Sequence, residues 1–234
     1  MKSSSMGFDL NRYDKLIRIS LFTLSIQPLL YGIYAFKAEQ LGINPFEALM
    51  SLSGHAALVF LLISLAITPV RRWLTVGLKH YARINWGKRL SDWNLLIRTR
   101  RMFGVFSFFY ATLHMGLYLE LELSWLWQEF VWEIQERYFL TIGLICWCLL
   151  LLLTATSPKW VQKKMKRWWR RTHRLVYPLS ILACLHFLLG VKETNSEPYY
   201  YLMVVVIFLG HRVVAAYLPR FTRADDVGME LNKR

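Results

Sequence analysis

The residues of this sequence best suited to chemistry are histidines within long apolar segments. His114 lies in the run FYATLHMGLY, and His173 and His186 lie near the two ends of the run RRTHRLVYPLSILACLHFLLG. An ionisable side chain is costly at such depth in a membrane and usually has a function there. A single histidine can merely hydrogen-bond a neighbour, but imidazoles from two helices can bind a haem iron from opposite faces. We therefore predict a haem between His114 and His186.

The residue predicted to lie opposite His173 is an arginine. Arg100 stands 14 residues before His114, a separation that turns a helix by about 1400°, to within roughly 40° of the same face, and rises about 21 Å. This predicts an inner site at Arg100 and His173 and an outer site at His114 and His186. Because arginine stays protonated in proteins, a salt bridge to a haem propionate is easier chemistry for Arg100 than iron ligation.

The two histidines of the later segment are predicted to point in different directions. His173 and His186 are 13 residues apart, which is about 220° around a straight helix. Pro178 lies between them and can bend the helix or start it afresh. His173 can thus precede the regular helix.

Six apolar segments of bilayer-spanning length position these residues. A spanning helix needs about 20 mostly apolar residues, and in lipid each backbone polar group must be satisfied within the segment. We therefore predict an all-α, six-helix transmembrane bundle over residues 16–217, between a cytoplasmic N-terminal segment, 1–15, and a cytoplasmic tail, 218–234. The six predicted spans are residues 16–36, 49–70, 102–120, 138–156, 174–191 and 198–217. The first span lacks a convincing cleavage site, and we expect it to be retained.

The charges alternate from one loop to the next. Of the 29 Lys and Arg residues, 26 fall in the N-terminal stretch, residues 71–101, residues 157–174 and the tail, whereas nine of the 15 acids fall in the other loops. Lys and Arg are retained in the cytoplasm, so both termini are predicted to be cytoplasmic. The net charge of +14 then reflects basic loops at an anionic lipid surface, and nucleic acid is not needed as a partner.

The remaining candidate ligands are weaker. The sequence has three cysteines and no CxxCH motif, so any haem is predicted to be held non-covalently. His80 is interpreted as a solvated residue of a basic loop. For His55 and His211, structural hydrogen bonding is preferred over a bond to a haem propionate or a quinone carbonyl.

The sequence resembles the MsrQ (YedZ) family, within the ferric-reductase-like transmembrane superfamily. The resemblance is carried by the LLIRTRR run, the ATLH run, the stretch from Trp169 to Tyr177, His186 and the run SGHAALVFLLISLAITP. It covers roughly residues 12–218. Many superfamily members bind two haems through two histidine pairs; here three of the four positions match, and Arg100 replaces the fourth histidine.

The resemblance implies a haem b protein, with one or two haems, that carries electrons across a bacterial inner membrane. The implied acceptor is MsrP, a periplasmic molybdopterin enzyme that reduces methionine sulfoxide and so repairs oxidised proteins. On this reading the chain is an electron-transfer subunit and not itself the sulfoxide-reducing catalyst. FMN is implied by resemblance alone. The sequence has no G-x-G-x-x-G motif, and we do not expect a domain that binds a nicotinamide cofactor. Electrons are therefore expected from quinol or a cytosolic flavin reductase.

Two other functions are compatible with the same residues. A ferric or cupric reductase would have the same spans and haems but deliver electrons to a metal ion. A haemless transporter would use the intramembrane histidines as proton relays.

Overall fold

The computed structural model describes residues 14–82, 94–191 and 194–231, and these residues contain helices and no strand. The elements are α1 (Asp14–Lys37), α2 (Pro45–Ala82), α3 (Asn94–Leu121), α4 (Trp127–Glu136), α5 (Tyr138–Ala155), α6 (Lys159–Met165), α7 (Arg167–Thr172), a 3-10 turn (His173–Leu175), α8 (Val176–Gly190) and α9 (Glu197–Leu231). The predicted all-α class is therefore confirmed.

Five of the described segments are long and apolar enough to cross a membrane. They are Lys15–Lys37, Pro45–Val70, Thr99–Leu121, Tyr138–Ala155 and Arg167–Gly190, which correspond to the first five predicted spans. The predicted sixth span lies in α9; it is helical, and its crossing of the membrane stays a prediction. Large apolar side chains, such as Leu24, Leu151 and Val206, are exposed on the bundle surface. Such a surface suits lipid, and the chain is a multi-pass membrane protein.

Helix α2 is central to the bundle. Its buried Phe60 packs with Phe106 and Tyr110 of α3. On another face, Leu61 belongs to a cluster with buried residues of α5 and α8, and Leu58 and Leu62 pack with residues of α8 and α9. Helices α3 and α8, which carry the candidate histidines, thus both pack against one common helix.

The basic segments predicted as loops are largely helical. α2 continues past its apolar part to Ala82 and α3 begins at Asn94, so most of the predicted 71–101 loop extends the two helices. The predicted 157–174 loop contains α6, α7 and the start of the 3-10 turn. Lysine and arginine are good helix formers, and a helix need not end where its apolar stretch ends. Trp160 and Trp168 are exposed here, as expected at a membrane interface.

Helix α4 lies in a segment where no helix was predicted. It carries Glu129, Glu133 and Glu136 and has no buried residue. The Tyr118 hydroxyl of α3 donates to the Glu133 carboxylate, and Thr141 Oγ1 of α5 donates to the Ile134 carbonyl at 2.6 Å. These bonds hold α4 against the ends of α3 and α5.

Helix α1 is attached to the bundle at a proline. Pro28 lies inside α1. The buried Tyr110 hydroxyl of α3 donates to the Ser25 carbonyl at 2.7 Å and accepts the Leu29 N–H at 3.3 Å. In an α-helix the Leu29 N–H and the Ser25 carbonyl are partners of each other. The Tyr110 hydroxyl therefore contacts both members of one helical pair.

Candidate functional site

Two candidate ligands meet at one end of the bundle. The rings of His114 on α3 and His186 on α8 have centroids 6.1 Å apart and lie at 85° to each other. This is close enough for both imidazoles to reach one bound iron. We call the end with His114, His186 and α4 the acidic end, and the opposite end, with Arg100, His173 and Arg212, the basic end.

Backbone carbonyls of two other helices orient these rings. His114 Nδ1 donates to the Met50 carbonyl of α2 at 2.9 Å, and His186 Nδ1 donates to the Phe139 carbonyl of α5 at 2.8 Å. A carbonyl only accepts, so each Nδ1 carries the proton, and each Nε2 keeps its lone pair. No described residue hydrogen-bonds either Nε2. Both rings are therefore in the tautomer that a ligand of metal through Nε2 requires.

The donor set favours haem over a simple metal ion. The described residues contain no group of three or more His, Cys, Asp or Glu side chains that could hold a metal. A structural zinc site needs four ligands. A haem iron needs only axial ligands, because the porphyrin supplies four nitrogens. Two imidazoles with free Nε2 atoms fit that requirement, and Phe139, whose ring lies 6.1 Å from that of His186, adds an apolar wall.

At the basic end, His173 precedes the regular helix, as the sequence suggested. It lies in the 3-10 turn, and α8 begins at Val176, with Pro178 in its first turn. The ring of His173 packs on Trp169 with a centroid distance of 4.3 Å. Its Nε2 lies 3.2 Å from Thr156 Oγ1, which itself donates to the Leu152 carbonyl. Thr156 therefore accepts from His173 Nε2–H, unlike the free Nε2 atoms of the acidic end.

An arginine lies near this second histidine. Arg100 is within electrostatic range of His173, Arg212 and Tyr177, so the structure brings Arg100 to the level of His173. Among the described residues Arg100 has no acidic partner. A partly buried cation without a counter-charge is unfavourable. Arg100 therefore suits an anionic group, such as a haem propionate, more readily than an iron atom.

Arg212 of α9 was not singled out from the sequence. Its guanidinium donates to the Tyr177 hydroxyl at 2.6 Å and to the Leu65 carbonyl at 3.0 Å. Leu65 lies four residues before Pro69, which has no N–H to offer it. Arg212 thus satisfies a carbonyl that the proline leaves free, and it ties α2, α8 and α9 together.

The other histidines have different surroundings. His55 Nδ1 donates to the Ser51 carbonyl at 2.8 Å, and its Nε2 lies 3.2 Å from the Glu197 carboxylate. This agrees with the preferred structural interpretation. The ring of His211 packs edge-on against Trp73, and its Nδ1 is buried without a partner in the described part of the chain. The side chain of His80 lies outside the described residues.

The fold and the site define a class of protein. The family model described as the ferric reductase like transmembrane component matches residues 53–184. The match covers more than half of the chain and includes Arg100, His114 and His173, ending two residues before His186. The molecule is thus a ferric-reductase-like transmembrane protein.

Relatives narrow this class. The chain is 37% identical over 194 residues to the protein-methionine-sulfoxide reductase heme-binding subunit MsrQ of Xanthomonas oryzae pv. oryzae, covering 83% of this chain and 81% of that protein. The protein of the same name from Rhodospirillum rubrum is 36% identical over 216 residues, or 92% of this chain and 95% of the relative. The chain therefore belongs to the MsrQ family.

Proposed function

We propose that this protein is the haem b electron-transfer subunit of a methionine sulfoxide reductase system in a bacterial inner membrane. The observation that carries the proposal is the pair of facing imidazoles at the acidic end, each with Nδ1 bonded to a carbonyl. The haem and the sulfoxide reductase system enter this proposal from the names of the relatives. When bound, the haem supplies a one-electron redox centre.

The proposed role of the chain is to hold that centre and to exclude water from it. His114 and His186 would bind the haem iron, and the Met50 and Phe139 carbonyls hold the two rings in place. A proton on Nδ1 shared with a carbonyl increases the basicity of Nε2, which would favour the ferric state of a bound haem.

A second haem at the basic end is also proposed. His173 would bind its iron after exchanging its bond to Thr156, and Arg100 would pair with a propionate. Electrons would enter there from quinol or a cytosolic flavin reductase and leave at the acidic end to a periplasmic MsrP-like molybdoenzyme. With that direction both termini are cytoplasmic, as the charge asymmetry of the loops suggests. FMN belongs to the proposal through family resemblance alone.

The experiment for this function is a reoxidation assay. Purified protein is reduced with dithionite, and its absorption is followed after a periplasmic molybdoenzyme of the MsrP type and methionine sulfoxide are added. We expect fast reoxidation only when enzyme and sulfoxide are both present. Reoxidation by ferric citrate alone, at the same rate, would identify a metal reductase. Protein that carries no haem after growth with ample haem would instead favour the haemless transporter.

Replacing Arg100 by Ala is expected to lower haem content partially, or to change the spectrum of the basic-end haem. The physical reason is that a propionate loses its counter-charge, while the proposed ligand His173 remains. Arg100→Lys should preserve more of the haem than Arg100→Ala does. Arg101→Ala is the matched control, because Arg101 is the next residue of α3 and is exposed. The pyridine haemochrome assay gives haem per protein, and an absorption spectrum is recorded beside it. Equal haem content and equal spectra for Arg100→Ala and Arg101→Ala would show that Arg100 has no role in haem binding.

A further inference from the structure

The surroundings of His114 and His186 repeat one local arrangement in two different helices. Each Nδ1 donates to the carbonyl of residue i in a neighbouring helix, and residue i+4 of that helix is glycine. In α2 the pair is Met50 and Gly54; in α5 it is Phe139 and Gly143. The two helices are unrelated in sequence around these pairs, so the repeat is an independent second observation.

Helix geometry explains why the fourth residue must lack a side chain. Inside an α-helix the carbonyl of residue i already accepts the N–H of residue i+4. A ring that donates to the same carbonyl must approach beside that bond, directly over residue i+4. A Cβ built on Gly143 would lie 2.7 Å from His186 Cε1 and 2.9 Å from its Nδ1. A Cβ on Gly54 would lie 3.1 Å from both Cε1 and Nδ1 of His114.

The two glycines of α3 show no such contact. A Cβ on Gly104 or Gly116 of α3 would meet no atom within 4 Å. Glycine is about 1 kcal/mol less favourable than alanine inside a helix. Gly54 and Gly143 carry the same cost in helix stability, but at these two positions the missing side chain leaves room for an imidazole against the backbone.

We propose that Gly54 and Gly143 are positioning residues that seat the two axial histidines, an inference that rests on the proposed haem site at the acidic end. Each glycine lets an imidazole reach the carbonyl one helical turn earlier. That bond fixes the Nδ1–H tautomer, turns Nε2 toward the iron and sets the basicity of the ligand. Gly143 has the tighter contact, so a side chain at this position is expected to disturb its histidine more than one at Gly54.

The test compares four alanine variants in otherwise intact protein: Gly143→Ala, Gly54→Ala, and the matched controls Gly104→Ala and Gly116→Ala. We expect Gly143→Ala to lower haem per protein several-fold, because His186 cannot keep both its carbonyl bond and its position. Gly54→Ala is expected to keep more haem but to raise the midpoint potential of the acidic-end haem. Its low-spin electron paramagnetic resonance signal should shift as well. The two controls should match the wild type.

Two features separate this proposal from a general effect on folding. Alanine is the better helix former, so propensity alone would stabilise all four variants. The low-spin resonance signal reports the ligand rings directly. A general effect of damage to the fold would appear in the Gly104→Ala and Gly116→Ala controls as well. Should Gly143→Ala fail to insert, Gly54→Ala still decides the matter, because its 3.1 Å contacts need only a small displacement.

The outcomes distinguish this inference from the function on which it rests. Wild-type protein without haem overturns the proposed function and this inference together. The inference alone is overturned if the haem depends on His114 and His186 but the two glycine variants leave it unchanged. In that case haem content, midpoint potential and resonance signal of Gly54→Ala and Gly143→Ala equal those of the wild type.

Discussion

His114→Ala and His186→Ala are each expected to remove the haem of the acidic end, with haem content at that site falling more than roughly tenfold. Losing only a partner behind a metal ligand costs ~10–100-fold in affinity, and losing the ligand itself should cost at least as much. Since the two imidazoles lie 6.1 Å apart on separate helices, neither can take the place of the other. The double variant should therefore lose little more than either single variant.

The matched control is His55→Ala. His55 lies at the same end, on α2, and is bonded to Ser51 and Glu197 rather than facing the other two rings. Haem content is measured by the pyridine haemochrome assay after insertion has been verified by membrane fractionation. Full haem content in both His114→Ala and His186→Ala would refute the ligand assignment. A loss in His55→Ala of the same size would instead indicate that any damage at this end expels haem.

Tyr110→Phe is expected to give the largest loss of stability among conservative substitutions in the described part of α3. The hydroxyl bridges the Ser25 carbonyl and the Leu29 N–H beside Pro28. Removing it leaves both backbone groups of α1 without that partner at a buried position. Hydrogen bonds between membrane helices contribute up to about 1–2 kcal/mol, and we expect a loss of that size.

Unfolding in mixed micelles with increasing sodium dodecyl sulfate measures this effect. Tyr31→Phe is the control, because Tyr31 is on α1 but 58% exposed. Proteolysis in native micelles should cut α1 from Tyr110→Phe protein earlier than from the control. Equal unfolding midpoints for the two variants would show that aromatic packing, including the Phe22–Phe106 contact at 5.3 Å, is enough to hold α1.

The sequence was most informative where its pattern has a single physical solution. Apolar segments of bilayer length must be helical, since lipid offers no partner for the backbone, and α1, α2, α3, α5 and α8 follow. The approach of His114 and His186 could also be anticipated, because both were predicted to belong to one outer site, on the third and fifth of six spans.

Other parts of the site have no distinctive signal in the sequence. The acceptors at Met50 and Phe139 are main-chain carbonyls, which every residue has, so nothing marks these two before the helices are packed. Gly54 and Gly143 are ordinary glycines until a ring is found above them. Arg212 resembled any basic residue near the end of a span. The link to Leu65 could be inferred only from Pro69 and the packing of α9 on α2.

Helix α4 escaped prediction for another reason. With ten residues it is too short to span a membrane. The spacing of Trp127, Phe130, Val131 and Ile134 is nevertheless that of an amphipathic helix, and this was the signal that could have found it. Its position depends on bonds from Tyr118 and Thr141, which belong to other helices. A short helix of this kind is stabilised by tertiary contacts more than by its own composition.

The 3-10 turn before α8 gives His173 a different set of neighbours from His186. His173 is held by Trp169 and Thr156, whereas His186 is held by Phe139 of α5. Substitutions in α6 and α7 are thus expected to change the surroundings of His173 while those of His186 stay the same. Natural variation on the basic side can then accumulate without altering the two histidines whose Nδ1 atoms bond to carbonyls.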